Sequence, residues 1–310
     1  MSSTSSRPRT LRKTDASANR PESSALTVVD ELTASLRFAG ITDPRRIAND
    51  IIAALLDVPR SWAVMNREAP IDAGTVAAAR SAAMQLGSGA PFAYAVGSAP
   101  FRHLTLKVDM RVLIPRPETE VLVGAVLDKM ETQFGAAGWG TAIDIGTGCG
   151  AIALSLASEG RFDNVIATDA SLDALEVARI NAEHCAASLK ISVELRHGSL
   201  LSPVRGVNAS VVISNPPYIA FSETESLPPS VRDWEPPLAL LSGHDGMAAT
   251  AAIIRDAVLV LNRGGLLAIE VDERRASLVA EIAMAHGGYE DVNAGLDLAG
   301  RERFVIARRI

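Results

Sequence analysis

Cysteine is almost missing from this chain. Cys149 and Cys185 are the two in 310 residues, too few for a disulfide framework, and no Cys and His residues cluster at zinc-ligand spacing, so no metal site is expected. Long hydrophobic runs are also missing. The stretch Ala251 to Leu261 is broken by Arg255 and Asp256 and falls short of the roughly 20 residues a membrane span needs. Nor is there an excess of positive charge: 30 Lys and Arg stand against 36 Asp and Glu, leaving −6, so no global basic field attracts nucleic acid. These absences predict a protein of a reducing, cytoplasmic setting with no membrane partner. What is present is the composition of a folded protein, 48% hydrophobic and 21% charged, and the length suggests two domains.

The first 25 residues are Ser, Thr, Pro and Arg with a single Leu11. Five basic residues against Asp15 and Glu22 leave +3, and the stretch is expected to be a disordered tail. Its composition matches an organellar transit peptide, but it lacks the apolar face at helical spacing, so a solvated tail is the better reading. Residues 26–90 read as a helical docking domain. Val28, Leu32, Leu36 and Phe38 form one stripe; Ile51, Ile52, Leu55 and Leu56 form a second after Pro44; Ala73 to Leu86 is a third helix capped by Asp72. Residues 91–120 read as a β-hairpin linker, because Phe92, Tyr94 and Val96 alternate, Gly97 turns, and Leu104, Leu106 and Val108 alternate again. Pro115 and Pro117 keep its end extended before a helix beginning near Thr119.

Over residues 121–310 strands alternate with helices, which predicts an α/β sheet with parallel crossovers. Strands are expected at Ala142 to Ile145, Val165 to Thr168, Ile191 to Leu195, Ser210 to Ile213 and Leu266 to Val271. Tyr289 to Val292 and Arg303 to Ala307 have no helix between them and form an antiparallel hairpin. That ending separates the methyltransferase version of the fold from the dinucleotide-binding version.

Asp144-Ile145-Gly146-Thr147-Gly148-Cys149-Gly150 lies where the first strand meets its helix. Glycines at alternate positions allow a tight turn and close approach of a ligand. Asp169 ends the next strand, 23 residues beyond Gly146, where a carboxylate can accept both hydroxyls of a ribose. NAD and S-adenosylmethionine both fit such a loop, although Ala151 stands where a dinucleotide motif has its last glycine.

Ser214-Asn215-Pro216-Pro217-Tyr218 follows the fourth strand, at the carboxyl edge where open α/β sheets bind ligands. An amide or exocyclic amine is a poor nucleophile because its lone pair is delocalised. The Asn215 side-chain oxygen and the Pro216 carbonyl can accept its two N–H hydrogens and hold the nitrogen toward a methyl donor. The prolines stiffen this pair of acceptors, and Tyr218 offers a flat face to a planar group. The pattern points to N-methyl transfer, with no strong base required.

These two motifs, together with Leu113 to Glu120, Val231-Arg232-Asp233-Trp234-Glu235-Pro236 and Gly300-Arg301-Glu302-Arg303, resemble the peptide chain release factor N5-glutamine methyltransferases, from about Leu26 to the C-terminus. The resemblance implies a seven-stranded Rossmann-like class I methyltransferase domain, preceded by a small helical bundle and a β-hairpin connector. It implies methyl transfer from S-adenosylmethionine to the glutamine of a release factor's Gly-Gly-Gln tip. Carried over by position, Gly146, Thr147, Gly148, Cys149 and Gly150 would line the cofactor and Asp169 would hold its ribose. Leu200 would pack beside the adenine, where the family often has an aromatic residue. Asn215 would touch both cofactor and substrate, and Asn215, Pro216, Pro217 and Tyr218 would bind the glutamine, with Asn215, Pro216 and Tyr218 as the catalytic group. Ser88-Gly89-Ala90-Pro91 departs from the basic residue and Gly-x-Pro turn usual there.

His103, His184, His197, His244 and His286 are scattered without catalytic partners, and Cys149 reads as a small loop residue rather than a nucleophile. Glu118 and Glu120 either shape the site mouth or favour a helix N-terminus. Trp234 and Glu235 read as a packed loop, with a lid as the other reading. The competing functions are a ribosomal-protein glutamine methyltransferase, an adenine-N6 nucleic-acid methyltransferase, which would need a basic groove, and a non-catalytic adaptor, which would show decayed motifs. A monomer acting on a protein substrate is expected. Without its tail the chain carries −9, which favours that substrate over nucleic acid.

Overall fold

The computed structural model describes residues 23–243 and 245–310; the expected tail over residues 1–22 and His244 lie outside the described residues. The chain divides into two compact units between Gly87 and Ser88, against an expected helical domain ending at residue 90.

The smaller unit holds helices Ala25–Phe38, Pro44–Leu56, Trp62–Met65 and Ala73–Gly87. Ser24 caps the first by accepting the Thr27 amide, and Ser23–Ser24 pair antiparallel with Pro70–Ile71, so Ser23 to Ala25 belong to the folded unit rather than to the tail. Asp72 accepts the amides of Gly74 and Thr75 at 2.9 and 3.0 Å, the cap expected there. Val28, Leu32, Leu36, Ile51 and Ile52 are buried, but Phe38 is 97% exposed. Two residues beyond Leu36 is about 200° around a helix, so Phe38 faces away from the stripe of Val28, Leu32 and Leu36.

In the larger unit, Phe92–Val96 is a helix where alternation predicts a strand. Over five residues an alternating pattern does not separate a helical turn from a strand. Here Pro91 starts the turn and Gly97, at φ +72°, ends it. The hairpin follows one step later, Ser98–Phe101 against Leu104–Lys107.

The central elements are numbered here from the helix that follows. They are α1 (Pro117–Phe134), β1 (Thr141–Ile145), α2 (Ala151–Glu159), β2 (Asn164–Asp169), α3 (Leu172–His184), β3 (Val193–His197), β4 (Ala209–Ser214), α4 (Ala248–Ala257), β5 (Leu261–Glu270), α5 (Ala276–His286), β6 (Tyr289–Leu296) and β7 (Glu302–Arg309). The strands form one seven-stranded sheet in the order β6-β7-β5-β4-β1-β2-β3. β7 runs antiparallel between β5 and β6, while β5, β4, β1, β2 and β3 are parallel. Compared with the expected strands, β3 lies two residues later, and β5 begins at Leu261, five residues before the expected Leu266.

Side chains alternate across the sheet. Val211 and Ile213 of β4 belong to the core that α1, α2 and α3 cover, and Val212 to the core that α4 and α5 cover. The switch point falls between β1 and β4, where successive connections leave in opposite directions, and open α/β sheets bind ligands there.

Candidate active site

Parallel register decides which residues become neighbours at this edge. Ser214, the last residue of β4, stands opposite Ile145 of β1 and Ile269 of β5. The next residues in each strand direction are therefore Asn215, Gly146 and Glu270, side by side at the carboxyl edge.

The glycine loop is held from below. The amides of Gly146 and Thr147 both donate to the Thr168 carbonyl, at 2.8 and 2.9 Å. Asp144, fully buried in β1, accepts the Thr147 hydroxyl at 2.7 Å and the Ala153 amide at 3.1 Å through one oxygen. Burial pushes its carboxyl up to about 7. Asp169 accepts the Gly148 amide and the Ser171 amide, each at 2.9 Å, so this acid braces the loop as well as facing the cavity. Asn181 of α3 donates to the carbonyls of Cys149 and Lys107, fastening the loop to the hairpin.

A cavity of about 220 Å³ opens above the loop, lined by Gly146, Gly148, Asp169, Leu200, Asn215 and Pro217 among others. Thr147, Cys149 and Gly150 do not line it. The Thr147 and Cys149 side chains are buried, and a Cβ on Gly150 would point at Leu154 and Ala178. Burial also pushes the Cys149 thiol up to about 12, which keeps it protonated.

The cavity passes a direct test for a nucleoside ligand. Gly146 and Gly148 lie at φ +72° and +56°, and a Cβ on either would project into open space. Their missing side chains thus leave a bare backbone cradle beside a carboxylate and an apolar wall, which suits S-adenosylmethionine.

A second cavity, of about 180 Å³, is lined by Leu113, Arg116, Asn215, Tyr218, Leu227 and Val231 among others. Asn215 lies on the walls of both cavities, Pro217 on the first and Tyr218 on the second. Pro216 is buried and on neither wall. Burial pushes the Tyr218 phenol above its ordinary value, so it stays neutral. The chain leaving Tyr218 is anchored by the Ile219 amide on the Leu240 carbonyl and the Ser242 amide on the Ile219 carbonyl.

Glu235 packs as expected of its loop, while the partners of Thr119 and Glu270 are not evident from motif reading. Glu235 is 3% exposed, accepts from Arg116 at 2.5 Å and takes the Ile114 amide at 3.3 Å. It is a structural clasp on the segment beside the second cavity. Asn215 donates through Nδ2 to the Thr119 hydroxyl at 3.1 Å, and Thr119 donates to the Glu270 carboxylate at 2.5 Å. Glu270 is 2% exposed, and burial pushes its carboxyl up to about 7. One visible signal pointed to it: a charged residue closing the otherwise apolar Leu266-Leu267-Ala268-Ile269. Glu118 and Glu120 both occupy the first turn of α1, and Glu118 also pairs with Arg301 at 3.7 Å.

An antiparallel β7 inserted between β5 and β6, with a cradle and an acid at the switch point, defines a class I methyltransferase. Residues 121–227 match the family model described as methyltransferase small domain, and residues 27–97 that of the PrmC N-terminal domain. The release factor glutamine methyltransferase of Moorella thermoacetica is 38% identical over 282 residues, 90% of this chain and 96% of that protein. The Streptomyces coelicolor protein of the same name is 35% identical over 92% of this chain and 98% of its own length. The chain belongs to the release factor glutamine methyltransferase family. Among solved structures, the hMettl16 catalytic domain in complex with MAT2A 3'UTR hairpin 1 shares the fold, with a TM-score of 0.55 at 16% identity over 83% of this chain and 90% of that one.

Proposed function

We propose that the protein transfers a methyl group from S-adenosylmethionine to the side-chain amide nitrogen (N5) of the glutamine in the Gly-Gly-Gln motif of peptide chain release factors. The observation that carries this reading is the position of Asn215, the one polar residue among the three, with Leu113 and Ala239, that line both the cavity beside the glycine loop and the second, smaller one. A glutamine side chain entering the second cavity meets the first at Asn215.

S-adenosylmethionine supplies an electrophilic methyl on a sulfonium. Gly146 and Gly148 would receive it against bare backbone, Asp169 would accept the ribose hydroxyls, and Leu200 would pack against the base. Asn215 Oδ1 and the Pro216 carbonyl accept the two hydrogens of the substrate amide, aligning its nitrogen with the methyl carbon. Tyr218 and the apolar wall of Leu113, Leu227 and Val231 exclude water around the amide. Methyl transfer would form the N–C bond, break the S–C bond and leave positive charge on the nitrogen. The accepting oxygens stabilise that charge until a proton leaves to solvent.

The acidic balance of −6 supports a protein substrate over nucleic acid. No helix of the described residues is long and apolar enough to cross a membrane. We place the enzyme in the cytoplasm as a monomer. The test supplies labelled S-adenosylmethionine with a release factor, its Gln→Ala version, and DNA. Label in the first alone is expected; label in DNA, or label surviving the Gln substitution, refutes the reading. Asn215→Ala should lower turnover at least about a hundredfold while leaving cofactor affinity near wild type. Equal losses of both would make Asn215 a cofactor-pocket residue only.

A further inference from the structure

We infer that Thr119 and Glu270 are positioning residues that fix which way the Asn215 amide faces, so that its oxygen and not its nitrogen meets the methyl acceptor. The inference rests on the reading of Asn215 as an acceptor. An Asn side chain is nearly symmetric in shape, and its two ends differ only in what they bond. With the oxygen toward the substrate it accepts an N–H. Turned over, it presents its own N–H hydrogens to those of the substrate amide and the site is dead.

The relay removes that ambiguity through a count of protons. A hydroxyl has one hydrogen. An ionised Glu270 has none to give, so the Thr119 hydrogen must go to it, at 2.5 Å. The lone pairs of Thr119 are then all it can offer to Asn215, 3.1 Å away, and only the Nδ2 end can use them. The reversed amide would face oxygen against oxygen in a site where Thr119 is 4% and Glu270 2% exposed, with little access for water to repair the contact. Three elements build the relay: the first turn of α1 carries Thr119, the end of β5 carries Glu270, and the exit of β4 carries Asn215. None of the three hydrogen-bonding groups is wasted, since Asn215 Oδ1 is left to the acceptor.

The experiment compares Thr119→Val, which keeps the shape and deletes the hydroxyl, with Thr119→Ser, which keeps the hydroxyl. Thr119→Val is expected to lower kcat for release-factor methylation about tenfold to a hundredfold, one buried hydrogen bond. KM for S-adenosylmethionine and the Kd of S-adenosylhomocysteine should stay within about twofold, and Thr119→Ser should recover most of kcat. A second readout needs no turnover. In nitrogen-15 spectra of the full-length protein, the Asn215 side-chain amide hydrogens should exchange slowly in the wild type and in Thr119→Ser. They should exchange fast in Thr119→Val and in Glu270→Met, which removes the acceptor that orients the Thr119 hydrogen. Unprotected hydrogens in the wild type, or a kcat for Thr119→Val within about threefold of wild type, would overturn the inference. If Thr119→Val does not fold, the Glu270→Met exchange decides alone. A wild type that leaves the release factor unmethylated would sink the functional reading, while the exchange measurement would still judge the relay.

Discussion

Asp169 faces both the glycine loop and the larger cavity, and one substitution separates the two contributions. Its carboxylate takes the Gly148 and Ser171 amides at 2.9 Å each and also faces the larger cavity. Asp169→Ala removes both functions. Two backbone bonds at a half-buried site contribute about 1 kcal/mol each net, so the ligand-free protein should unfold about 4–8 °C lower. Two ribose hydroxyls donating to a carboxylate would add about 1.5–3 kcal/mol each, of which water in the vacated space replaces part. A net loss of about 3 kcal/mol raises the Kd of S-adenosylhomocysteine about a hundredfold or more. Calorimetric titration measures the second effect and a thermal melt without ligand measures the first. Asp169→Asn keeps one acceptor oxygen and should fall between wild type and Ala in both. A Kd within about threefold of wild type, alongside the lowered melting temperature, would show that the carboxylate braces the glycine loop and does not hold the ligand.

Further outcomes follow from the same geometry. Arg116→Ala leaves Glu235 buried with only the Ile114 amide, whereas Glu235→Gln leaves Arg116 with 31% of its side chain exposed. The first should therefore cost about 3 kcal/mol in chemical denaturation and the second clearly less; equal costs would refute the asymmetry. Glu270, pushed up to about 7 by burial, is also raised by neighbouring Glu118 and lowered by its Thr119 bond and by Arg303 and Arg116. Methyl transfer should climb as pH rises through about 7 and the ionised carboxylate sets the relay. Stability from this group runs the other way: it is fully present below the ordinary 4.5 and lost as pH rises through about 7. Melts and rates at pH 5.5 and 8 should both flatten in Glu270→Gln, and an unchanged pH profile would exclude Glu270 as the titrating group. Gly246 lies at φ +75°, where a Cβ would meet the Tyr218 carbonyl oxygen at 2.3 Å. Gly246→Ala should thus displace Tyr218 and lower turnover about tenfold or more with little change in cofactor affinity, and unaffected turnover would refute that coupling.

Local chemistry made the two motifs readable. A glycine loop, an acid one strand later and Asn-Pro-Pro-Tyr at a strand end each carry their reason in their own residues. The misreadings have equally local causes. Phe92 to Val96 alternates over a length at which helix and strand look alike, and Phe38 joined a stripe through hydrophobicity rather than angle. Thr147, Cys149 and Gly150 belong to the motif as letters, yet their side chains or Cβ directions turn into the protein.

By itself, then, the order of residues determined the alternating strands and helices, the closing antiparallel hairpin, and the tight glycine turn between β1 and α2, because period, turn chemistry and φ are set by near neighbours. Only tertiary structure decided that Glu270 ends beside Asn215 and that Thr119, 96 residues before Asn215, stands between them. Parallel register brings strand ends together whatever their separation along the chain. The direction of a hydrogen-bond relay therefore exists only once three distant elements share one edge.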